Sequence, residues 1–485
     1  MYYDNGLIKD VMKEKYAKIE RRIQVKRDAK SRVSDFKPIY KEFTFTEAKE
    51  QGDRCLQCPI EPFYGIESNI EFCRTGCPLH NDTLEWIKHT REGKVEDAFE
   101  LSNALSPFPE ILGRVCPQDS LCQGSCTLSR TEFGSVTIGG IEVYLNEEAF
   151  EKGLRPYYGE DKSKSGKKVA IIGSGPAGMS CATFLLRTGI EVEVFERADR
   201  AGGLLTYGIP NFKIDKDVIQ RRYDWMIEAG LKVHLNSEIK NEEQMQGLLN
   251  DFDAIFVAVG APSGRKSGMK NEEAKGVYQV MDILTHIQKN VFESFYDSIL
   301  QKKNIVVVGG GDSAMDALRA SVRIGAESVK CLYRRDEANM PGSKKELVNA
   351  REEGVEFQFL VSPKEITIDD DNNVTGIICQ NTKLSEPDSS GRQKLNIIEG
   401  SEHTIPCDII VLALGFDNVK FPWFDTAKIE TGKWNDIIVN DEKRTSNAKI
   451  FSGGDAVRGA DLAVTSALDG RTAAYTIIKD FGIYL

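Results

Sequence analysis

At 485 residues, with 41% hydrophobic and 28% charged side chains, the chain has ordinary globular composition and is long enough for about three domains. Its formal charge of −11 argues against nucleic acid as a partner, because phosphate binding needs a basic surface. The opening MYYDNGLIKDVMKEKYAK has no apolar core behind a basic start, and no uncharged apolar run approaches the roughly 18 residues of a membrane span, so neither a secretory leader nor a membrane anchor is expected, and the location expected is cytoplasmic.

In chain order, residues 1–158 come first: charged, helix-prone and without long strand-like runs. Seven of the eleven cysteines lie here, between Cys55 and Cys126. In a reducing compartment such cysteines serve as metal ligands or redox groups more often than as structural disulfides. They fall into two groups. Cys55-x-x-Cys58 is followed by Cys73-x3-Cys77-Pro78, and later Cys116-Pro117 is followed by Cys122-x3-Cys126. Thiolate is a soft ligand suited to zinc or to iron–sulfur clusters. The C-x3-C-P element resembles the end of a ferredoxin-type run, whose last cysteine ligates the other cluster. Seven thiolates are one short of the set for two all-cysteine 4Fe–4S clusters. Either a non-cysteine ligand completes the set or one site is incomplete; a single zinc site with bystander cysteines is the competing reading.

A polar linker, GEDKSKSGKK (159–168), separates this zone from the rest. From Val169 onward, Val/Ile-rich runs alternate with amphipathic stretches, the pattern of parallel sheets with crossover helices. The unit KKVAIIGSGPAGMSCATFLLRTGIEVEVFER (167–197) sets Gly173, Gly175 and Gly178 in G-x-G-x-x-G directly after a strand. Those glycines serve a tight turn, close approach to a pyrophosphate, and helix–strand packing, and a helix beginning at Pro176 and Ala177 offers free N–H groups to phosphate. Glu196, followed by Arg197, ends the next strand, where an acid binds ribose hydroxyls.

The unit KNIVVVGGGDSAMDALRASVRIGAESVKCLYRR (303–335) repeats the layout, with Gly309, Gly310, Gly311, Asp312 and Ser313 at the turn. Its second strand ends in Arg334 and Arg335 in place of an acid, which favours NADP(H) over NAD(H), since guanidinium binds a 2′-phosphate that an acid repels. A further apolar run, PCDIIVLALGF (406–416), and the closing segment 450–478 complete the pattern, and EPDSSGRQ (386–393) reads as an exposed hairpin tip. In the closing segment Gly454 and Asp455 precede a helix that includes Ala463. An aspartate there suits a ribityl chain, and a helix N-terminus suits negative charge on a flavin. The order of motifs favours FAD in the first site and NADP(H) in the second. Zinc has no redox role, so the flavin context favours iron–sulfur clusters over zinc. Cys181, Cys331, Cys379 and Cys407 form no C-x-x-C, which counts against a dithiol reductase; Cys181 and Cys331 read as packing residues.

FPEILGRVCPQDSLCQGSC (108–126), GGLLTYGIPNFKIDKDVIQRR (202–222), YRRDEANMPGSKKELVNAREEGVEF (333–357) and GGDAVRGADLAVTSALDGRTAA (453–474) carry a family resemblance. From about Phe36 to Phe481 the chain resembles the small (beta) subunit of NADPH-dependent glutamate synthase. It is similar also to the N-terminal half of dihydropyrimidine dehydrogenase and to the ferredoxin:NADP oxidoreductase large subunit. The resemblance implies an α/β protein with a helical iron–sulfur N-terminal domain followed by two Rossmann-like nucleotide-binding domains, the second inserted in the first. The divisions expected are 1–158 for two iron–sulfur clusters, 166–262 and 412–485 for FAD, and 263–411 for NADPH. It implies two 4Fe–4S clusters with interleaved ligands: Cys55, Cys58, Cys73 and Cys126 for one, and Cys77, Cys116, Cys122 and Glu142 for the other. The gap between Cys58 and Cys73, PIEPFYGIESNIEF, is longer than the family's usual spacing. Gly203, Leu204, Tyr207 and Pro210 would line the flavin. Electrons would pass from NADPH through FAD and the clusters to a large subunit that makes glutamate from glutamine and 2-oxoglutarate. The alternative is an NADPH-dependent ferredoxin oxidoreductase or transhydrogenase subunit, including an electron-bifurcating one, with another flavoprotein or ferredoxin as partner. A third reading is an electron-transfer module that binds FAD but not NADPH. No side-chain acid, base or nucleophile is expected, since hydride transfer mainly requires two stacked and oriented rings.

Overall fold

Thr44 opens the first long helix with a reciprocal cap: its hydroxyl accepts from the Glu47 N–H at 3.3 Å, and the Glu47 carboxylate accepts from the Thr44 N–H at 2.9 Å. The computed structural model describes residues 19–58, 73–294, 299–388 and 393–483. The charged opening (1–18), the segment between Cys58 and Cys73 (59–72) and half of the expected hairpin tip (389–392) lie outside the described residues. In the N-terminal part the helices are α1 (Ala29–Arg32), α2 (Phe45–Asp53), α3 (Thr83–Arg91), α4 (Val95–Leu105), α5 (Pro109–Val115) and α6 (Ile138–Glu151). Trp86, Ile87, Phe99, Leu128, Ile141 and Leu145 form their core. Among the described residues this part holds no strand beyond an isolated Lys26–Tyr40 bridge.

The first nucleotide unit runs β1 (Lys168–Ile172), α7 (Pro176–Leu186), β2 (Glu191–Phe195), α8 (Leu204–Tyr207), α9 (Lys216–Glu228), β3 (Lys232–His234), α10 (Glu242–Asp251) and β4 (Ala254–Val257). The chain then leaves through β5 (Ser263–Gly264) and builds β6 (Val277–Gln279), α11 (Val280–Glu293), β7 (Asn304–Val308), α12 (Asp312–Ile324), β8 (Ser328–Tyr333), α13 (Lys344–Glu352) and β9 (Glu356–Phe359). An antiparallel excursion follows: β10 (Val361–Ile368), β11 (Val374–Leu384), β12 (Leu395–Ile397) and β13 (His403–Pro406). The chain re-enters the second parallel sheet as β14 (Ile409–Leu412) and returns through β15 (Phe416–Asp417), which pairs with β5. It closes with β16 (Ile450–Ser452), α14 (Asp455–Arg458) and α15 (Ala463–Asp480).

The sheet orders are β16-β4-β1-β2-β3 and β6-β14-β7-β8-β9, every pairing parallel. The first sheet is therefore finished by a strand from the far end of the chain, and the second is inserted in it, as expected. The runs VAII, AIFV, IVVV and IIVL are buried throughout, because helices or a second sheet cover both faces. The antiparallel sheet was not foreseen. Its inward side places Ile366, Ile377, Cys379 and Ile405 against Val306, Val308 and Leu412 of the second parallel sheet. Across the expected hairpin tip, β11 and β12 pair antiparallel.

Buried ion pairs tie the parts together. Arg222 of α9 meets Glu110 of α5, both fully buried. Glu353, just past α13, accepts from Arg32 of α1 at 2.7 Å and from Arg319 at 2.8 Å and Arg323 at 2.7 Å, both on α12. Lys213 reaches Asp316 at 2.8 Å. Burial alone would raise the Glu353 carboxyl, but the hydrogen bonds from Arg319 and Arg323 outweigh it and hold the pKa at about 2, against an ordinary 4.5. A depressed carboxylate stabilises the fold above its unfolded pKa and loses that contribution as pH falls toward the folded one. The contribution is about 3 kcal/mol at neutral pH. Glu353→Gln is therefore expected to be less stable than the parent at pH 7. In denaturant titrations the gap should close as pH falls from about 4.5 to about 2. A gap that stays constant with pH would contradict the assignment.

Candidate redox site

At the first glycine turn each glycine meets a different constraint. Gly173 has φ +103°, and a Cβ there would lie 2.3 Å from the Ala258 carbonyl oxygen. A Cβ on Gly178 would lie 2.1 Å from the Gly173 carbonyl oxygen, so helix and turn touch directly. Gly175 is the N-cap of α7, and nothing lies within 4 Å of a Cβ built on it. That open cradle beside the N–H groups of Ala177 and Gly178 fits a pyrophosphate. Pro176 is the first helical residue, where a missing N–H costs nothing. Glu196 stands at the end of β2, as expected, and is buried. Its carboxylate accepts from the Ser174 N–H at 3.0 Å and the Ala198 N–H at 2.8 Å, and so holds the turn in shape; Arg197 beside it is exposed. Gly203, with φ +54°, packs so closely that a Cβ would sit 2.8 Å from the Gly175 Cα. The GGLLTYGIP segment thus backs the turn. Leu204 is exposed, and Tyr207 donates to Asp199.

The closing segment reaches the same place. A Cβ on Gly454 would lie 3.0 Å from the Ala177 Cβ, and one on Gly470 would lie 2.1 Å from the Ala177 carbonyl oxygen, so α15 and α7 cross in backbone contact. Asp455 accepts from Ser466 Oγ and the Asp461 N–H, both at 3.3 Å, and burial raises its carboxyl to about 6. Ala463 begins α15. Sequence reasoning passed over Asp469, which is fully buried and accepts from the Gly454 N–H at 3.0 Å, from Arg458 at 2.6 and 2.7 Å, and from Lys443 at 2.7 Å. The signal was present: an acid in the small-residue helix ALDGRTAA has no reason to be inside unless it is paired.

The second turn repeats the first. A Cβ on Gly309 would lie 2.3 Å from the Ala413 carbonyl oxygen, whereas Gly311, the N-cap of α12, faces open space. Asp312 accepts from the Ser343 N–H at 3.0 Å, and the Gly342 N–H donates to Gly310 at 2.9 Å, so the MPGS loop folds over the turn that Ser313 continues. Arg334 is exposed at the end of β8, and Arg335 is partly buried, its Nη2 donating to the Gln393 carbonyl at 3.3 Å.

The seven N-terminal cysteines separate into a group of four and a group of three that a carboxylate makes up to four. Cys55, Cys58, Cys73 and Cys126 line one pocket, walled by Leu84, Ile87, Val136 and Ile138 and open to solvent. Burial, then the neighbouring thiols, raises the pKa of Cys73; burial likewise raises Cys55, with Cys58 and Cys126 adding to it. Cys77, Cys116 and Cys122 gather round Glu142 of α6. Burial pushes the Cys116 and Cys122 thiols well up, and Glu142 and the other thiols add to it. Burial and the nearby Glu110 raise the Glu142 carboxyl to about 8, against one long hydrogen bond from Asn81 at 3.4 Å. Groups this reluctant to ionise alone fit a bound cationic group, which favours thiolate and carboxylate together. Among the described residues, no three His, Cys, Asp or Glu side chains converge as the ligands of a single ion do. The first group instead lines an open pocket, which fits a polynuclear iron–sulfur group better than zinc held at about 2.3 Å by each sulfur. The other four cysteines are buried among apolar side chains.

Two family models match the chain: dihydropyrimidine dehydrogenase domain II, 4Fe-4S cluster, over residues 32–154, and pyridine nucleotide-disulphide oxidoreductase over 167–470. The glutamate synthase [NADPH] small chain of Escherichia coli K12 is 44% identical over 465 residues, covering 94% of this chain and 96% of the relative. The putative oxidoreductase AegA of the same organism is 43% identical over 464 residues, covering 93% of this chain and 68% of AegA. Among solved structures, Mycobacterium tuberculosis FprA in complex with NADPH shares the fold, with a TM-score of 0.55 at 21% identity over 65% of this chain and 84% of that one. No helix among the described residues is long and apolar enough to cross a membrane. With a helical cysteine domain and two glycine turns matched along nearly its whole length, the chain belongs to the family of glutamate synthase [NADPH] small chains, its nucleotide-binding part being of the pyridine nucleotide-disulphide oxidoreductase type.

Proposed function

We propose that this chain is the electron-input subunit of an NADPH-dependent glutamate synthase, working in the cytoplasm with a large subunit that makes glutamate from glutamine and 2-oxoglutarate. The observation that carries the reading is the joining of the group of Cys77, Cys116, Cys122 and Glu142 to the first glycine turn through one helix. Gly470 of α15 lies against Ala177, and Arg471 beside it bonds the backbone next to Cys77. A flavin in the first site supplies the conversion of a hydride, a two-electron donor, into single electrons that iron–sulfur clusters accept.

The residues divide the work. Gly173, Gly175, Gly178 and the N-terminus of α7 hold the pyrophosphate of FAD, with Gly203, Gly454, Asp455 and the start of α15 around the rest. Gly309, Gly311 and α12 hold NADPH, and Arg334 and Arg335 take its 2′-phosphate. Cys55, Cys58, Cys73 and Cys126 hold one 4Fe–4S cluster; Cys77, Cys116, Cys122 and Glu142 hold the second. The division into 1–158, 166–262 with 412–485, and 263–411 follows those roles. Free thiols throughout suit a reducing compartment.

The test is anaerobic purification from native cells, followed by assay of the eluate with NADPH, glutamine and 2-oxoglutarate. A much larger partner with glutamate formation supports the reading. A different flavoprotein or ferredoxin partner without glutamate formation replaces it with the ferredoxin oxidoreductase or transhydrogenase reading. For the 2′-phosphate, Arg334→Ala and Arg335→Ala are each expected to raise KM for NADPH about tenfold, the worth of one hydrogen bond to a charged group. KM for NADH should change little, and equal losses for both nucleotides would contradict the assignment.

A further inference from the structure

Arg471 lies about two turns into α15, counted from its first residue Ala463. Its guanidinium leaves the first nucleotide domain and enters the N-terminal domain. There Nη1 donates to the Leu79 carbonyl at 3.1 Å, two residues past Cys77, and to the Leu105 carbonyl at 2.6 Å, at the end of α4. The residue is only 8% exposed. Arg222 is neutralised by Glu110 and Arg458 by Asp469, whereas Arg187, like Arg471, donates to backbone carbonyls, those of Tyr157, Asn103 and Ala104. Among the described residues no carboxylate stands within ion-pair distance of Arg471, and the groups its charge acts on are Tyr475 and Cys77. A buried cation without a counter-anion costs desolvation energy unless a negative group is brought to it.

We propose that Arg471 is the residue that sets the potential of the iron–sulfur group held by Cys77, Cys116, Cys122 and Glu142, its uncancelled positive charge favouring the reduced state. The inference rests on the ligand assignment above. Three thiolates and a carboxylate make the quartet strongly negative, and reduction adds one electron with no bond made or broken. The guanidinium keeps its proton throughout, so its charge is a fixed part of the site. A fixed cation within a poorly screened interior stabilises the form with the extra negative charge. Because its other partners are backbone carbonyls, the same side chain positions the Cys77 segment against α15.

The test uses the purified holoprotein as parent, Arg471→Gln, Arg471→Met and Arg471→Lys. Iron content and flavin absorbance are measured, and a dithionite titration with mediators is followed by EPR. In Arg471→Gln or Arg471→Met, one iron–sulfur midpoint should fall so that the reduced-to-oxidised ratio at a fixed potential drops about tenfold, 59 mV for one electron. The other cluster and the flavin stay within a few-fold, and Arg471→Lys restores the parent midpoint. Unchanged midpoints in the neutral variants overturn the proposal. Loss of iron from both neutral variants also overturns it, since the residue would then only hold the domains together. A parent with no second iron–sulfur signal instead defeats the ligand assignment itself, an outcome separable from both.

Discussion

Cys122→Ser should yield a protein that keeps its flavin and still reduces a dye with NADPH, yet fails to pass electrons to a partner. Cys122 has Cys77, Glu142, Cys116 and then Cys73 as its ionisable neighbours, so it sits between the two groups as well as within one. Its packing agrees: Cys122 lies against the N-terminal core, while Cys77 and Cys116 lie against the core of the first nucleotide unit. Iron content should fall by about half, one of two clusters. NADPH-to-partner turnover should fall about 100-fold or more, since even groups supporting a metal ligand cost 10- to 100-fold. Dye reduction should stay within about twofold, because the glycine turns share no partner with Cys122. Cys181→Ser provides the contrast, a fully buried thiol that should leave iron untouched. Unchanged iron in Cys122→Ser would remove Cys122 from the ligand set.

Arg222→Met is the second large effect, and it acts on stability. Nε donates to Glu110 Oε1 at 2.8 Å and Nη2 donates to the other carboxylate oxygen, while Nη1 reaches the Tyr158 hydroxyl at 3.2 Å. Both charged side chains are fully buried. Removing one partner leaves a buried carboxylate uncompensated, at a cost of about 3–5 kcal/mol. Glu110 belongs to the N-terminal domain and Arg222 to the first nucleotide unit, so the loss should appear as an earlier, separate transition of the N-terminal part in a thermal scan. The double variant Arg222→Met with Glu110→Leu should recover most of it, because an apolar pair of similar volume replaces a buried ion pair at little cost. A double variant as unstable as the single one would show that shape, not charge, matters at this join.

The sequence made the nucleotide units legible because a glycine reports a backbone condition that no other residue tolerates. Gly173 and Gly178 would both clash with backbone if they carried a Cβ. The cysteines were legible for a related reason: thiol spacing has few uses in a reducing compartment. The second quartet became readable only through the family resemblance, since nothing in TIGGIE marks Glu142 as different from any helical glutamate. The staples were not legible at all. Arg222 and Glu110 are 112 residues apart, and Arg32 and Glu353 are 321 apart. A charged residue on a helix looks solvated until the facing element is known. The antiparallel β10–β13 sheet was missed because its strands alternate partly exposed and buried positions, a weaker pattern than the buried runs of the parallel sheets.

The short β5–β15 pairing has a consequence for how such a protein diversifies. Gly264 sits opposite Phe416, so the inserted unit enters and leaves through one seam. Both ends of the insert arrive side by side, and the host sheet β16-β4-β1-β2-β3 contains no strand from within it. The inserted unit is thus a cassette: cut at the seam, it can be exchanged for another without re-threading its host. Compatibility is then a matter of matched charge. Asp316 and Glu353 travel with the cassette, while Arg32 and Lys213 stay behind, so a foreign insert seats only if it presents acids where those two cations wait.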